Sequence, residues 1–287
     1  ASIGKIAATI SHEIRNPLTS IRLDLQLYRD YETARADLSQ GRVDLMRADP
    51  RLYLEAKAAK GNLRLLLRES APGFNAVIFT RSDTGVTNLA GLAGRSLVFW
   101  DRRSSISLLA KSLLYEAGLA RTNLRYSYLL ETTAFGAEQA KGDAEVLAGG
   151  YLDPGGATVM AVRAGQFDAG VATEWQLRTR GMRALPESRD WVPLAAFEVP
   201  FCAWIVRTNL DDKVSGCLKS AMRKIQIVPR AFLGRDRHPA QLQLIEARDQ
   251  DCEALRQALE REPRFENRED AGPLADAALP GKPGEQH

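Results

Sequence analysis

Apolar positions recur at a helical period at the front of the chain and in short runs thereafter. Ile3, Ile6, Ile10, Ile14, Leu18, Ile21, Leu25 and Tyr28 are separated by three or four residues, which predicts a helix through about residue 28. His12 falls on the opposite, polar face of that helix, with Asn16 one turn later beside it. Pro17 lacks the N–H that would bond the Glu13 carbonyl, so a kink is expected just after the histidine. A second period competes: Ile21, Leu23, Leu25 and Leu27 alternate as a strand would, although the helix is favoured.

From residue 31 the pattern becomes α/β. Helices are predicted at Tyr31–Gln40 (closed by Gly41), Leu52–Lys60, Ser105–Glu116 (ended by Gly118), Ala157–Ala164, Val214–Ile225 and Asp251–Glu260. Short strands are predicted within 42–46, 63–67, 76–81, 96–100, 124–130, 167–172 and 203–207. Residues 131–150 form a variable stretch, and 267–287 read as a solvated tail, with Pro273, Pro280 and Pro283 and no aromatic residue. Short strands alternating with helices predict a mostly parallel sheet architecture.

Composition narrows the classes. Of 287 residues, 45% are apolar and 26% charged, enough for a buried core and a polar cover. The net charge of +3 is too small for a dedicated nucleic-acid binder. Cys202, Cys217 and Cys252 show no C-x-x-C spacing, and the histidines are only His12, His238 and His287. No metal site, redox pair or cofactor is expected from so few ligands. No run of roughly 18 apolar residues predicts a membrane span. The front segment reads as a poor secretory signal, its apolar run broken by Ser11, His12 and Glu13.

The first candidate chemistry lies in Ser11–Thr19, S-H-E-I-R-N-P-L-T. An exposed imidazole beside a carboxylate is a reasonable phosphoacceptor, and a plain surface histidine is the alternative. The stretch G-K-I-A-A-T-I-S-H-E-I-R-N-P-L-T-S-I-R-L resembles the H-box of sensor histidine kinases. That resemblance implies His12 as the phosphorylated residue and Glu13 as its acid/base neighbour. The matching ATP-binding domain is not found: Asp83-Thr84-Gly85 begins like its glycine loop, but Thr87 stands in place of the second glycine. No complete catalytic apparatus is present, so kinase activity would need a separate ATP-binding domain.

The second candidate is the strand at Ser96–Trp100 running through D-R-R-S-S-I-S into a helix. Free N–H groups and the positive helix end make an anion site there, with Ser104 and Ser105 as hydroxyl donors, while a simple serine N-cap is the bland alternative. The third is A-G-G-Y-L-D-P-G-G before a helix and F-D-A-G-V-A-T-E-W after it, where Asp168 could cap a turn or touch a ligand.

The order of D-Y-E-T-A, A-D-P-R-L-Y, F-N-A-V-I-F-T-R-S-D-T-G-V-T-N-L-A-G-L-A-G-R-S-L-V-F, S-S-I-S, L-L-Y-E-A-G-L, A-V-R-A-G-Q-F-D-A-G-V and V-P-F-C-A-W-I-V-R resembles the phosphonate-binding proteins. These are type II periplasmic solute-binding proteins of ABC importers, a domain also found as the sensory part of some histidine kinases. The resemblance implies an α/β, two-lobed type II periplasmic-binding-protein fold over 30–266, preceded by the H-box-like helix at 1–29 and followed by the tail at 267–287. Lobe one would hold about 30–92 and 200–266, and lobe two about 93–195. It also implies ligand contacts at Tyr31, Tyr53, Ser104, Ser105 and Tyr151, with Glu174 placed to hold a cationic ligand group. Two departures stand out. Ile106 replaces one hydroxyl of the family's S-T-S run, and Tyr151 stands nearest to its histidine. The H-box helix occupies the family's opening strand and helix, so the first lobe is expected to be incomplete unless residues 21–27 supply a strand.

The resulting expectation is capture of a small oxyanion of the phosphonate, phosphate or phosphite type in an interlobe cleft, for ABC import or ligand sensing. The expected partners are that ligand and an ABC permease, in the periplasm or cell envelope by resemblance. The alternative is a fragment of a two-component sensor kinase with His12 as phosphoacceptor, partnered by an ATP-binding domain and a response regulator.

Overall fold

The computed structural model describes residues 31–70, 75–99, 101–128, 154–174, 176–177, 191–198, 202–224 and 243–267. The predicted helix at 1–29 with His12 and Glu13, the stretch 131–150, Tyr151 and nearly all of the tail lie outside the described residues. In chain order the elements begin α1 (Tyr31–Ser39), β1 (Leu45–Ala48), α2 (Pro50–Lys60), β2 (Leu63–Ser70), β3 (Asn75–Arg81), β4 (Ser96–Phe99), α3 (Ser105–Glu116) and β5 (Arg125–Tyr128). They continue with α4 (Pro154–Arg163), β6 (Ala169–Thr173), β7 (Trp191–Glu198), β8 (Ala203–Arg207), α5 (Asp212–Arg223), β9 (Gln243–Glu246) and α6 (Glu253–Glu266).

The chain divides into two compact units. Unit one takes residues 1–74, 103–105 and 198–257, and unit two takes 75–102, 106–197 and 258–287. The division differs from the expected lobes: β3 belongs to the sheet of unit two, where it lies between β6 and β7, residues 103–105 fall in unit one, and α6 from Ala258 onward falls in unit two.

In unit one the sheet order is β1-β8-β2-β9. The expectation of a mostly parallel sheet is corrected here. β8 runs antiparallel to both β1 and β2, and β9 runs antiparallel to β2. The β1–α2–β2 alternation does make β1 and β2 point the same way, as a helical crossover requires. A strand from far along the chain enters between them in the opposite sense, which no local pattern records. α2 starts at Asp49, whose side chain accepts from Arg51 N, with proline at the first helical position. It stops at Gly61, whose φ of 73° suits a residue without a Cβ.

Unit two is built on the order β5-β4-β6-β3-β7. β4 is parallel to β5 and β6, while β3 is antiparallel to β6. Its inner strands β3, β4 and β6 bury both faces, as central strands covered by helices do. Ile78, Leu97 and Phe99 share one core with Ala110, Leu114 and Phe265. The alternate residues Val77, Phe79 and Val98 pack with Val159 and Val162 of α4. Gly170 permits that second contact, because a Cβ there would lie 2.7 Å from Thr158 Cγ2 and 2.8 Å from Val162 Cγ2. β7 and β9 went unpredicted from sequence; β9 is only four residues long.

Candidate functional site

The residues around Asp49 form a polar cluster in unit one. Asp49 Oδ1 accepts from the backbone N–H of Arg51 at 2.8 Å, so it caps α2. The same carboxylate holds Ser105, the first residue of α3. Ser105 N donates to Oδ2 at 3.1 Å, and Ser105 Oγ donates to Oδ1. Ser105 Oγ in turn accepts from Arg51 N at 3.3 Å. One carboxylate therefore satisfies orphan donors at the starts of two helices. Burial pushes the Asp49 carboxyl above its ordinary range, against the opposing hydrogen bonds from Ser105 and Arg51. Asp49 was not singled out from sequence; the signal that could have found it is Asp-Pro opening a helix.

Tyr31 stands at the start of α1, half-buried. Its hydroxyl donates to Glu55 Oε2 at 3.1 Å, and Arg51 Nε donates to Glu55 Oε1 at 2.8 Å. The Arg103 guanidinium lies 4.8 Å from the Tyr31 ring centroid, a cation–π contact, and also bonds Glu32. Burial and the neighbouring Glu55 carboxylate push the Tyr31 hydroxyl upward, so it stays a neutral donor. Ser104 follows Arg103 directly and is half-buried.

Tyr53 has a different surrounding. Only 1% of it is exposed, so it is a core residue of unit one. Its hydroxyl donates to Asp249 Oδ1 at 2.5 Å, and Lys57 Nζ bonds the same carboxylate oxygen at 2.8 Å. Ser105 is likewise fully buried. Tyr31, Tyr53, Ser104 and Ser105 thus all belong to unit one, with Tyr31 and Ser104 retaining exposure. Glu174 belongs to unit two, where Asn75 Nδ2 approaches its Oε1 at 3.5 Å.

The turn before β6 settles one alternative. Asp168 Oδ2 accepts from Ser96 N at 2.8 Å and Ser96 Oγ at 2.7 Å. Burial alone would raise its carboxyl, but the two Ser96 bonds together with the charges of Arg95 and Arg125 outweigh burial and hold it below the usual range. Asp168 is a structural cap joining β4 to the turn. Cys202 is one of the isolated thiols, and burial pushes it up to about 12, which keeps it protonated and unreactive.

No curated protein matches the chain. Among solved structures, PhnD1 from Prochlorococcus marinus in complex with methylphosphonate shares 14% identity and a TM-score of 0.62, over 92% of this chain and 94% of that one. XAC2383 from Xanthomonas citri, bound to chloride, shares 17% identity and a TM-score of 0.60, over 91% and 90%. The periplasmic aliphatic sulphonate binding protein SsuA from Escherichia coli shares 16% identity and a TM-score of 0.57, over 99% and 95%. At such identities the likeness is one of fold, the α/β fold of the type II periplasmic binding proteins. None of these carries a kinase description. A family model described as "ABC transporter, phosphonate, periplasmic substrate-binding protein" matches residues 2–231, a span that includes the segment around His12. With most of its length under that match, the chain belongs to the family of phosphonate-type periplasmic substrate-binding proteins of ABC transporters.

Proposed function

We propose that the chain captures a small oxyanion of the phosphonate, phosphate or phosphite type, without covalent chemistry, and presents it for ABC import. Family membership implies a small-molecule ligand and a permease partner. The observation that carries the finer reading is the Arg103-Ser104 segment. A half-buried aromatic, Tyr31, lies under the Arg103 guanidinium, and the half-buried Ser104 follows at the entry to α3. Cation, hydroxyl and helix start are the donor types that oxyanions need. Tyr53 and Ser105 act beneath them: both hydroxyls are already bonded to carboxylates, so they position the surface residues. One structural neighbour in complex with methylphosphonate and another described as an aliphatic sulphonate binding protein support this class of solute. Glu174, with Asn75 beside it, suits a solute that also bears an amine. Tyr151 keeps its place in this reading through the family resemblance.

Isothermal titration calorimetry with methylphosphonate, phosphite, phosphate and methanesulfonate tests the reading. At least one should bind, and Ser104→Ala should weaken it by about tenfold, the worth of one hydrogen bond to a charged group. Absence of heat with every oxyanion would sink it.

A further inference from the structure

We propose that the last turn of α6, residues 262–266, is an acid-released strap on unit two. It is fastened while Glu262 and Glu266 are ionised, and it lifts off when they are protonated, with the rest of unit two still folded. The helix is weak where this turn begins. Pro263 lies inside α6 and has no N–H to give to the Leu259 carbonyl, so the turn beyond it lacks a bond to the helix body. The contacts that hold it are tertiary. Phe265 is fully buried, with its ring centroid 5.8 Å from that of Tyr126. Lys111 of α3, only 1% exposed, bonds Glu262 at 2.7 Å and Glu266 at 2.8 Å.

Other charged and titratable groups face the turn. Besides Lys111, α3 brings Glu116, which holds Arg261 of α6. β5 brings the Tyr126 hydroxyl, which donates to Glu266 at 2.5 Å. It also brings Tyr128, whose ring centroid lies 5.3 Å from Lys111 Nζ and 5.0 Å from the Arg102 guanidinium. Arg121, just before β5, reaches Glu266 at 3.4 Å. Burial pushes both tyrosine hydroxyls upward, so neither changes charge in acid. Burial would also raise the Glu266 carboxyl, but hydrogen bonds from Lys111 and Tyr126 and the charges of Lys111 and Arg121 hold it below the ordinary range. The fastening by Glu266 is therefore complete at neutral pH and is lost as pH falls through that lowered value. Release is driven by Lys111. Its ammonium stays charged in acid, and once both carboxylates are neutral it is a buried charge without a counter-charge. Lifting the turn lets water reach it.

Amide hydrogen exchange of the full chain tests this at about pH 7 and about pH 2.5, the second lying below the ordinary glutamate value. The readout is the protection factor at residues 265–267, with the fully buried strand β6 as reference. In acid, protection at 265–267 should fall by about tenfold or more relative to β6, the worth of one hydrogen bond to a charged group. Glu262→Gln together with Glu266→Gln should show the same loss already at about pH 7, because it reproduces the protonated state. Adding Lys111→Met to that pair removes the stranded charge and should restore protection at both pH values. A double variant as protected as wild type at neutral pH, or no recovery on adding Lys111→Met while β6 stays protected, would overturn the proposal. Wild type decides without any variant: protection at 265–267 that persists in acid, or that falls only together with that of β6, equally overturns it.

Discussion

Unit one keeps a carboxylate, Asp49, against neutral donors, whereas unit two keeps an ammonium, Lys111, between two carboxylates. Lys111 is only 1% exposed and bonds Glu262 at 2.7 Å and Glu266 at 2.8 Å, one turn apart on α6. Glu266 also accepts from the Tyr126 hydroxyl at 2.5 Å, and Arg261 donates to Ser112 at 3.0 Å. The difference shows two uses of a costly group. A buried cation enclosed by anions is internally compensated, and it fastens a helix while projecting little field. A buried carboxylate capped by amides and hydroxyls is compensated less, so burial raises it toward its neutral form.

The largest expected effect comes from breaking the compensated site. Lys111→Met leaves Glu262 and Glu266 together without their cation and should cost about 3–5 kcal/mol in urea unfolding. A loss below about 1 kcal/mol would mean that the lysine is not acting as a buried counter-charge. Asp49→Ala should cost less, about 1–2 kcal/mol by the same measurement, because it removes the helix caps but also relieves the burial of a carboxylate. If its cost exceeded that of Lys111→Met, the contrast between the units would be reversed.

The smallest effect is the most local. Carboxyl-carbon NMR titration should find Asp49 ionising above the ordinary aspartate value of about 3.9, and Glu266 below the ordinary glutamate value of about 4.3. Burial sets the first direction. For Glu266 burial pushes the other way and is overcome by hydrogen bonds from Lys111 and Tyr126. The signs for stability are therefore opposite. The contribution of Glu266 is present above its unfolded value and is lost as pH falls through its lower folded value. Asp49 costs stability while ionised, and that cost is relieved as pH falls through its raised folded value. Equal titration of the two would remove the electrostatic basis of the comparison.

Much of the fold was legible in the chain. The bounds of Ser105–Glu116 followed from its periodicity and Gly118, which has a φ of 80°. Strand β8 at Ala203–Arg207 followed from a short apolar run. The antiparallel entry of that strand between β1 and β2 was not legible, because strand order is set by which distant faces bury each other. The same limit applied to the candidate site. Tyr31, Tyr53, Ser104 and Ser105 were marked by segment order, yet Tyr53 and Ser105 proved to be buried and bonded to Asp249 and Asp49.

Residue types and their periods were enough to determine most of the α/β elements, since helix caps, turn glycines and apolar spacing act over a few residues, while the order of segments carried only the resemblance to a solute-binding family. Which hydroxyls are bonded to carboxylates was decided only by tertiary structure. Asp49 and Ser105 lie far apart in the chain, and hydrogen bonds form wherever folding brings donor and acceptor together.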